Sequence, residues 1–181
     1  AISNNQSALL MILGIISDTH DDLPSLKNAI KKFNENRVSY VIHAGDYVFP
    51  GVVKEFKHLN GKLIGVLGNN DGEKLGLLKN FQEIGGELHG EFCHLELDEF
   101  KIAIYHGTSS KLTEAIIASQ MYDLVIHGHT HKKRDEKIRD TLVLNTGCAH
   151  REFPNIEGNI ETEPSVIIFD TTKMDYQFVK L

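Results

Sequence analysis

Five short apolar runs in this chain each stop abruptly at a cluster of Gly, Asp, Asn or His. The runs lead into Asp18-Thr19-His20, Gly45-Asp46, Gly68-Asn69-Asn70-Asp71, His106-Gly107 and Gly128-His129-Thr130-His131. Runs this short and this rich in Ile, Val and Leu suit strands buried on both faces. Between the first two, Leu26, Ala29, Ile30 and Phe33 recur at helical spacing. Asp21 or Asp22 caps that helix, and Pro24 sits in its first turn. The spacing predicts strands over Met11–Ser17, Tyr40–Ala44 and Lys62–Leu67, with helices over Gly51–His58 and Glu73–Gln82. Such alternation is the pattern of right-handed crossovers on a largely parallel sheet, an α/β fold.

The second half changes character after Gly85-Gly86. Phe92–Leu97 and Lys101–Tyr105 read as an antiparallel hairpin, followed by a helix over Lys111–Gln120 and a strand over Leu124–His127. Arg134–Arg139 and Thr141–Asn145 read as a second hairpin, and Ser165–Phe169 and Tyr176–Val179 as the last strands. The sum is two β-sheets flanked by helices, with the polar clusters gathered at one edge, where open α/β sheets commonly bind ligands. No repeat or linker divides the chain, so residues 11–181 read as a single domain. Ala1 to Leu10 reads as an added remnant or a flexible extension ahead of Met11, with no basic or apolar signal-peptide pattern.

Together the clusters supply Asp18, Asp46, Asn69, His20, His106, His129 and His131, which suit a pair of divalent ions. Carboxylates hold charge, and imidazoles bind borderline metals. Asp46, the lone acid of the second cluster, is the candidate bridge between two ions about 4 Å apart. The His-rich set fits manganese first, with nickel, iron or zinc as alternatives, better than magnesium or calcium alone. His43 and His127 lie inside strand runs and read as core or supporting imidazoles, while His58, His89 and His94 read as solvated. Asp71 reads as a hydrogen-bonding support for its neighbours.

The cluster order resembles the calcineurin-like metallophosphoesterases, whose motifs run D-x-H, G-D, G-N-H-(E/D), H and G-H-x-H. The likeness spans Ile12 to Cys148, and the short length is similar to the YfcE-type phosphodiesterase branch. It implies a four-layer α-β-β-α sandwich of two mixed sheets. By motif matching, Asp18, His20, Asp46 and His131 hold one metal, and Asp46, Asn69, His106 and His129 the other. The implied activity is a phosphodiesterase in which the ions activate a hydroxide, with Asp46, Asn69, Asn70 and His106 as catalytic residues.

Two departures bear on the substrate. Pro50 stands where protein phosphatases of the family carry a phosphate-gripping Arg, and Asn70 where they carry a His that protonates the leaving group. An amide binds a phosphate oxygen but donates no proton at neutral pH. This favours a small phosphodiester over a phosphoprotein. A phosphomonoesterase, a nucleotide pyrophosphatase and a noncatalytic scaffold like the retromer subunit are the alternatives. In the loop Asn145–Arg151, related enzymes carry an N-P-G-S-like run, so Asn70, His150 and Arg151 are the candidate phosphate contacts, with plain surface positions as the competing reading of the last two.

The formal net charge of −6 argues against extended nucleic acid as a partner. No segment reaches the ~18 apolar residues of a membrane span. Cys93 and Cys148 lie far apart and read as reduced thiols of a cytoplasmic protein. Assembly into a homo-oligomer stays open.

Overall fold

The computed structural model describes residues 11–97, 99–155 and 158–181, with 153–155 and 158–161 through their backbone alone. The N-terminal extension read at 1–10 therefore lies outside the described residues. β1 (Ile12–Ile16), β2 (Tyr40–His43), β3 (Lys62–Gly65) and β4 (Glu87–Leu88) run parallel to one another, and β12 (Ser165–Asp170) and β13 (Asp175–Lys180) add antiparallel strands. Among the described residues these form a six-stranded sheet in the order β13-β12-β1-β2-β3-β4.

A second sheet has the order β5-β6-β7-β9-β8, from β5 (Phe92–Leu97), β6 (Phe100–Tyr105), β7 (Leu124–Ile126), β8 (Lys133–Ile138) and β9 (Thr141–Thr146). β6, β7 and β9 are parallel, and the two edge strands antiparallel. A separate ribbon pairs β10 (Glu152–Asn155) with β11 (Gly158–Glu161).

Strand alternation sorts the core into layers. Leu13 and Ile15 of β1 join Ile42, Ile64, Ile102, Ile104, Ile126 and Leu144 between the two sheets. Ile16 and Val41 face the other way, onto Leu26, Ala29, Ile30 and Phe33 of α1 (Leu23–Glu35) and Leu77 and Phe81 of α2 (Lys74–Glu83). Ala103, Val125 and Val143 face outward from the second sheet onto Ile117 of α3 (Ser110–Ala118). The order is helices, sheet, sheet, helix, the four-layer sandwich of two mixed sheets that the motifs imply.

α1 begins where Asp22 accepts the Ser25 N–H at 3.0 Å, a cap worth about 1 kcal/mol. The segment expected as a helix over Gly51–His58 forms instead a 3₁₀ helix, Pro50–His58. Gly51 and the branched pair Val52-Val53 weaken the α form, and three-residue repeats align Val53 over Phe56 against the core. β4 is too short to show a period in the sequence, and the β10–β11 ribbon is not among the elements expected from it. No helix among the described residues is long and apolar enough to cross a membrane.

Candidate metal centre

Parallel strands deliver their carboxyl ends to one edge, and that edge collects the polar clusters. Asp18 and His20 follow β1, Asp46 follows β2, Asn69 and Asn70 follow β3, His106 follows β6, and His129 and His131 follow β7. Backbone bonds tie these turns together. Asp18 N–H donates to Gly45 O at 3.0 Å, Thr19 N–H to Asp46 O at 3.1 Å, and Gly128 N–H to His106 O at 2.8 Å.

Close approach demands glycine at two points. Gly45 has φ +98°, and a Cβ there would lie 2.7 Å from Gly68 N. A Cβ on Gly128 would fall on the Ser17 hydroxyl. The strain is not confined to glycine. Asp18, His20, Asp46, His129 and His131 all have φ between 39° and 67°, so five of the seven candidate ligands sit in the left-handed region. Such a conformation costs on the order of 1 kcal/mol or more per residue and persists only where surrounding contacts enforce it.

Five of the seven candidate side chains converge, Asp18, His20, Asp46, His106 and His131. His131 Nε2 lies 3.3 Å from Asp18 Oδ1, and His20 Nε2 lies 3.9 Å from Asp18 Oδ1 and 3.5 Å from Asp46 Oδ2. His106 Nε2 lies 3.3 Å from the same Asp46 oxygen and 4.0 Å from Asp18 Oδ1. Two groups thus have donor atoms close enough for a shared ion: Asp18, His20 and His131, and Asp18, Asp46 and His106. The His129 ring stands edge-on to His106 with centroids 5.3 Å apart, and the His129 backbone N–H donates to Asp18 Oδ2 at 3.1 Å. Asn69 and Asn70 lie at the exposed rim. Asn69 Oδ1 accepts from Thr108, while Asn70 donates to Asp46 twice, from N and from Nδ2, both at 2.8 Å.

Charge and tautomer suit a cation. Burial disfavours the ionised Asp18, but the neighbouring His131 and His20 imidazoles outweigh it and hold its pKa well below the carboxylate range. Asp46 is likewise lowered against its burial by His106 and His20. Burial would lower His20, yet Asp18 and Asp46 raise it to about 9; His106 is raised against burial chiefly by Asp46. His106 Nδ1 faces the Ala44 carbonyl at 2.7 Å, so Nδ1 keeps its proton and Nε2, turned to the carboxylates, is the nitrogen that would ligate a metal once its own proton leaves. Asp18 Oδ1 and His106 Nε2 are buried with no hydrogen bond among the described residues. A divalent ion between them would satisfy both, and the mixed oxygen and imidazole donors fit one.

Residues behind the centre hold it in place. Buried Asp71 accepts four N–H groups, from Asp46, Tyr47, Val48 and Gly68, at 2.7–2.9 Å. His43 accepts the Gly45 N–H at 3.1 Å through Nδ1, which leaves Nε2–H for Thr19 Oγ1 at 3.2 Å. Burial pushes its pKa down to about 3, so the ring stays neutral. His127 is buried beside Asn145, whose amide donates to Gly128 O at 2.9 Å and to Thr130 Oγ1 at 3.2 Å. Asn145 was not singled out from the sequence; the available signal was an amide at the end of an apolar strand.

The two loop candidates separate. His150 is buried, not a surface residue: its Nδ1 donates to Asp18 O at 2.7 Å, and its ring lies 4.7 Å from His20 and 4.9 Å from His131. Burial lowers its pKa, as do the neighbouring His20 and His131. Arg151 is exposed, and its guanidinium binds Asp22 through Nε and Nη2, each at 3.1 Å. His58 and His94 are exposed and His89 partly so, as expected.

Comparison with known proteins agrees with this geometry. Residues 11–174 match the calcineurin-like phosphoesterase superfamily domain. The chain is 40% identical over 173 residues to a phosphodiesterase of Methanocaldococcus jannaschii, covering 94% of this chain and 99% of the relative. The solved structure of an archaeal phosphodiesterase superposes with a TM-score of 0.84 at 40% identity, covering 94% of this chain and all of that one. Two more distant structures share the fold alone: the Escherichia coli phosphoesterase YfcE (TM-score 0.65, 17% identity, 93% and 98% covered) and Vps29 of Entamoeba histolytica complexed with zinc (0.65, 17%, 94% and 98%). The chain belongs to the calcineurin-like phosphoesterase superfamily, hydrolases of phosphate esters.

Proposed function

We propose that this phosphoesterase is a phosphodiesterase acting on small phosphodiesters with two divalent transition-metal ions, manganese foremost. The observation that carries the reading is the place of Asp46 Oδ2, 3.5 Å from His20 Nε2 and 3.3 Å from His106 Nε2. One carboxylate oxygen between two groups of imidazoles is what a bridging ligand requires. Asp18, His20 and His131 would hold one ion with Asp46; Asn69, His106 and His129 would hold the other. Bound there, the ions would supply Lewis-acid polarisation of the phosphoryl group and a nucleophile at neutral pH.

The protein's own groups do the rest. Asn70 fixes the Asp46 carboxylate through two bonds, and Asn69 and Asn70 are set to orient phosphate oxygens at the rim, with His150 buried beside His20 and His131. Because the Asn70 amide donates no proton, the leaving group departs without help from that position. The name of the 40% identical relative supports the diester. Two buried, unpaired thiols, Cys93 and Cys148, are consistent with a cytoplasmic protein. Residues 11–181 are read as one domain, since both sheets share a single inner core.

The test compares hydrolysis of bis- and mono-p-nitrophenyl phosphate by chelated protein after return of Mn²⁺ or Ni²⁺. Metal-dependent cleavage of the diester in preference to the monoester is expected. Inactivity on both esters with every divalent ion would sink the reading. His129→Ala separates catalysis from a scaffold role, since it should abolish turnover and leave any partner binding intact.

A further inference from the structure

Three imidazoles meet beside Asp18. The ring centroids of His20 and His150 lie 4.7 Å apart, those of His131 and His150 4.9 Å, and those of His20 and His131 5.3 Å, each pair edge-on. His20 and His131 turn Nε2 toward the Asp18 carboxylate. His150 instead donates from Nδ1 to the Asp18 backbone carbonyl at 2.7 Å, and the same oxygen accepts the Ala149 N–H at 3.1 Å. One buried ring thus touches two candidate ligands through their rings and the third through its main chain. Asp18 lies at φ 53°, a conformation that persists only where neighbours enforce it, and the two bonds to its carbonyl are part of that enforcement.

The loop that carries His150 is itself tied down on both sides. Ahead of it, the Ser165 N–H donates to Cys148 O at 2.9 Å. The His150 carbonyl accepts the Thr162 hydroxyl. Beyond it, Arg151 binds Asp22 through its backbone N–H, Nε and Nη2 at 2.9–3.1 Å. Asp22 caps α1 two positions after His20, so this clasp joins the turn bearing His20 to the loop bearing His150. A ring packed edge-on against two others, with its backbone held, gives His20 and His131 a fixed wall to rest on. Groups that orient ligating imidazoles in this way govern how tightly an ion is held.

We propose that His150 is a positioning residue for the ion assigned to Asp18, His20, His131 and Asp46, and that Arg151 acts through Asp22 to keep His150 in place. The inference rests on the two-ion reading and adds a support that acts on one ion far more than on the other. In this role neither residue is a phosphate contact.

The test titrates the chelated full chain with Mn²⁺ by calorimetry, where the wild type should show two binding events. His150→Ala should weaken one event about 10–100-fold and the other by less than about threefold. His150→Asn keeps a donor near the place of Nδ1, and His150→Phe keeps the ring edge, so each should recover part of the loss. These two variants carry the comparison if His150→Ala does not fold. Wild-type affinities in the variants overturn the inference. Equal weakening of both events also overturns it, since a general loss of structure would do that. A wild-type chain that binds no Mn²⁺ overturns the two-ion reading, and the inference with it.

Discussion

Asp71 holds Asp46 by its backbone, not by its carboxylate: Asp71 Oδ2 accepts the Asp46 N–H at 2.9 Å, and the same oxygen accepts Gly68 N–H at 2.7 Å. One buried anion therefore sets the distance between the turn that carries Asp46 and the turn that carries Asn69 and Asn70. Asp71→Asn replaces an acceptor oxygen with an amide that points donors at donors. Each charge-assisted bond lost is worth roughly 1.5–3 kcal/mol. The expected outcome is a marked fall in Tm together with at least a tenfold weaker retention of Mn²⁺, read by thermal melting and elemental analysis. Unchanged metal retention would show that Asp71 does not position the centre.

Protons should compete with metal. In chelated protein His20 titrates near 9 against 6.5 in the unfolded chain, so its contribution to stability is complete below about pH 6.5 and is lost as pH rises through 9. The Tm of chelated protein should therefore fall between pH 7 and 10, by roughly 5 °C. Metal affinity should change the opposite way and strengthen with pH, because binding displaces protons from His20 and His106. Calorimetry of Mn²⁺ binding at pH 7 in buffers of different ionisation enthalpy should report net proton release.

Asn70 offers a gain-of-function test. Asn70→His places a group able to donate a proton where the amide now meets Asp46. General-acid help is worth about 10²–10⁴ in rate where a leaving group needs it. The ratio of p-nitrophenyl to alkyl phosphodiester hydrolysis should fall by about tenfold or more, since alkoxides depend on protonation and p-nitrophenolate does not. Identical ratios in both proteins would show that this position has no access to the leaving group.

Asn145 is fully buried, and its amide binds the turn bearing both His129 and His131. Asn145→Leu keeps the volume and leaves the Gly128 carbonyl unsatisfied, at a cost of about 1–3 kcal/mol. Loss of such outer support typically weakens metal binding about 10–100-fold. Return of activity at high Mn²⁺, with kcat near that of the wild type, would mark the defect as positioning.

The strands and the metal clusters were legible because the same residues served both purposes. Ile12–Ile16 had to be apolar to sit between two layers, so the sudden Asp18-Thr19-His20 stood out against it. Contacts made through the backbone were not legible in this way. Nothing in the letters of Asp71 records four N–H groups from two separate turns, and nothing in Arg151 records that Asp22 lies within reach across 129 positions. His150 read as a loop residue because its ring packs on Asp18, His20 and His131, far away in the chain, and such burial leaves no local period. The 3₁₀ form of Pro50–His58 escaped for a related reason, since its three buried residues fit either helix.

The left-handed turns at Asp18, His20, Asp46, His129 and His131 have a consequence for which ion is used. The cage is shaped by left-handed peptide geometry that surrounding contacts enforce, so its dimensions belong to the polypeptide. Divalent ions then compete for it on supply and on the order of affinities common to nitrogen and oxygen donors, not on their ability to fold the site around themselves. Swapping one for another should retune reactivity while leaving the cage unchanged, and the ion at work can follow the metal economy of the surroundings.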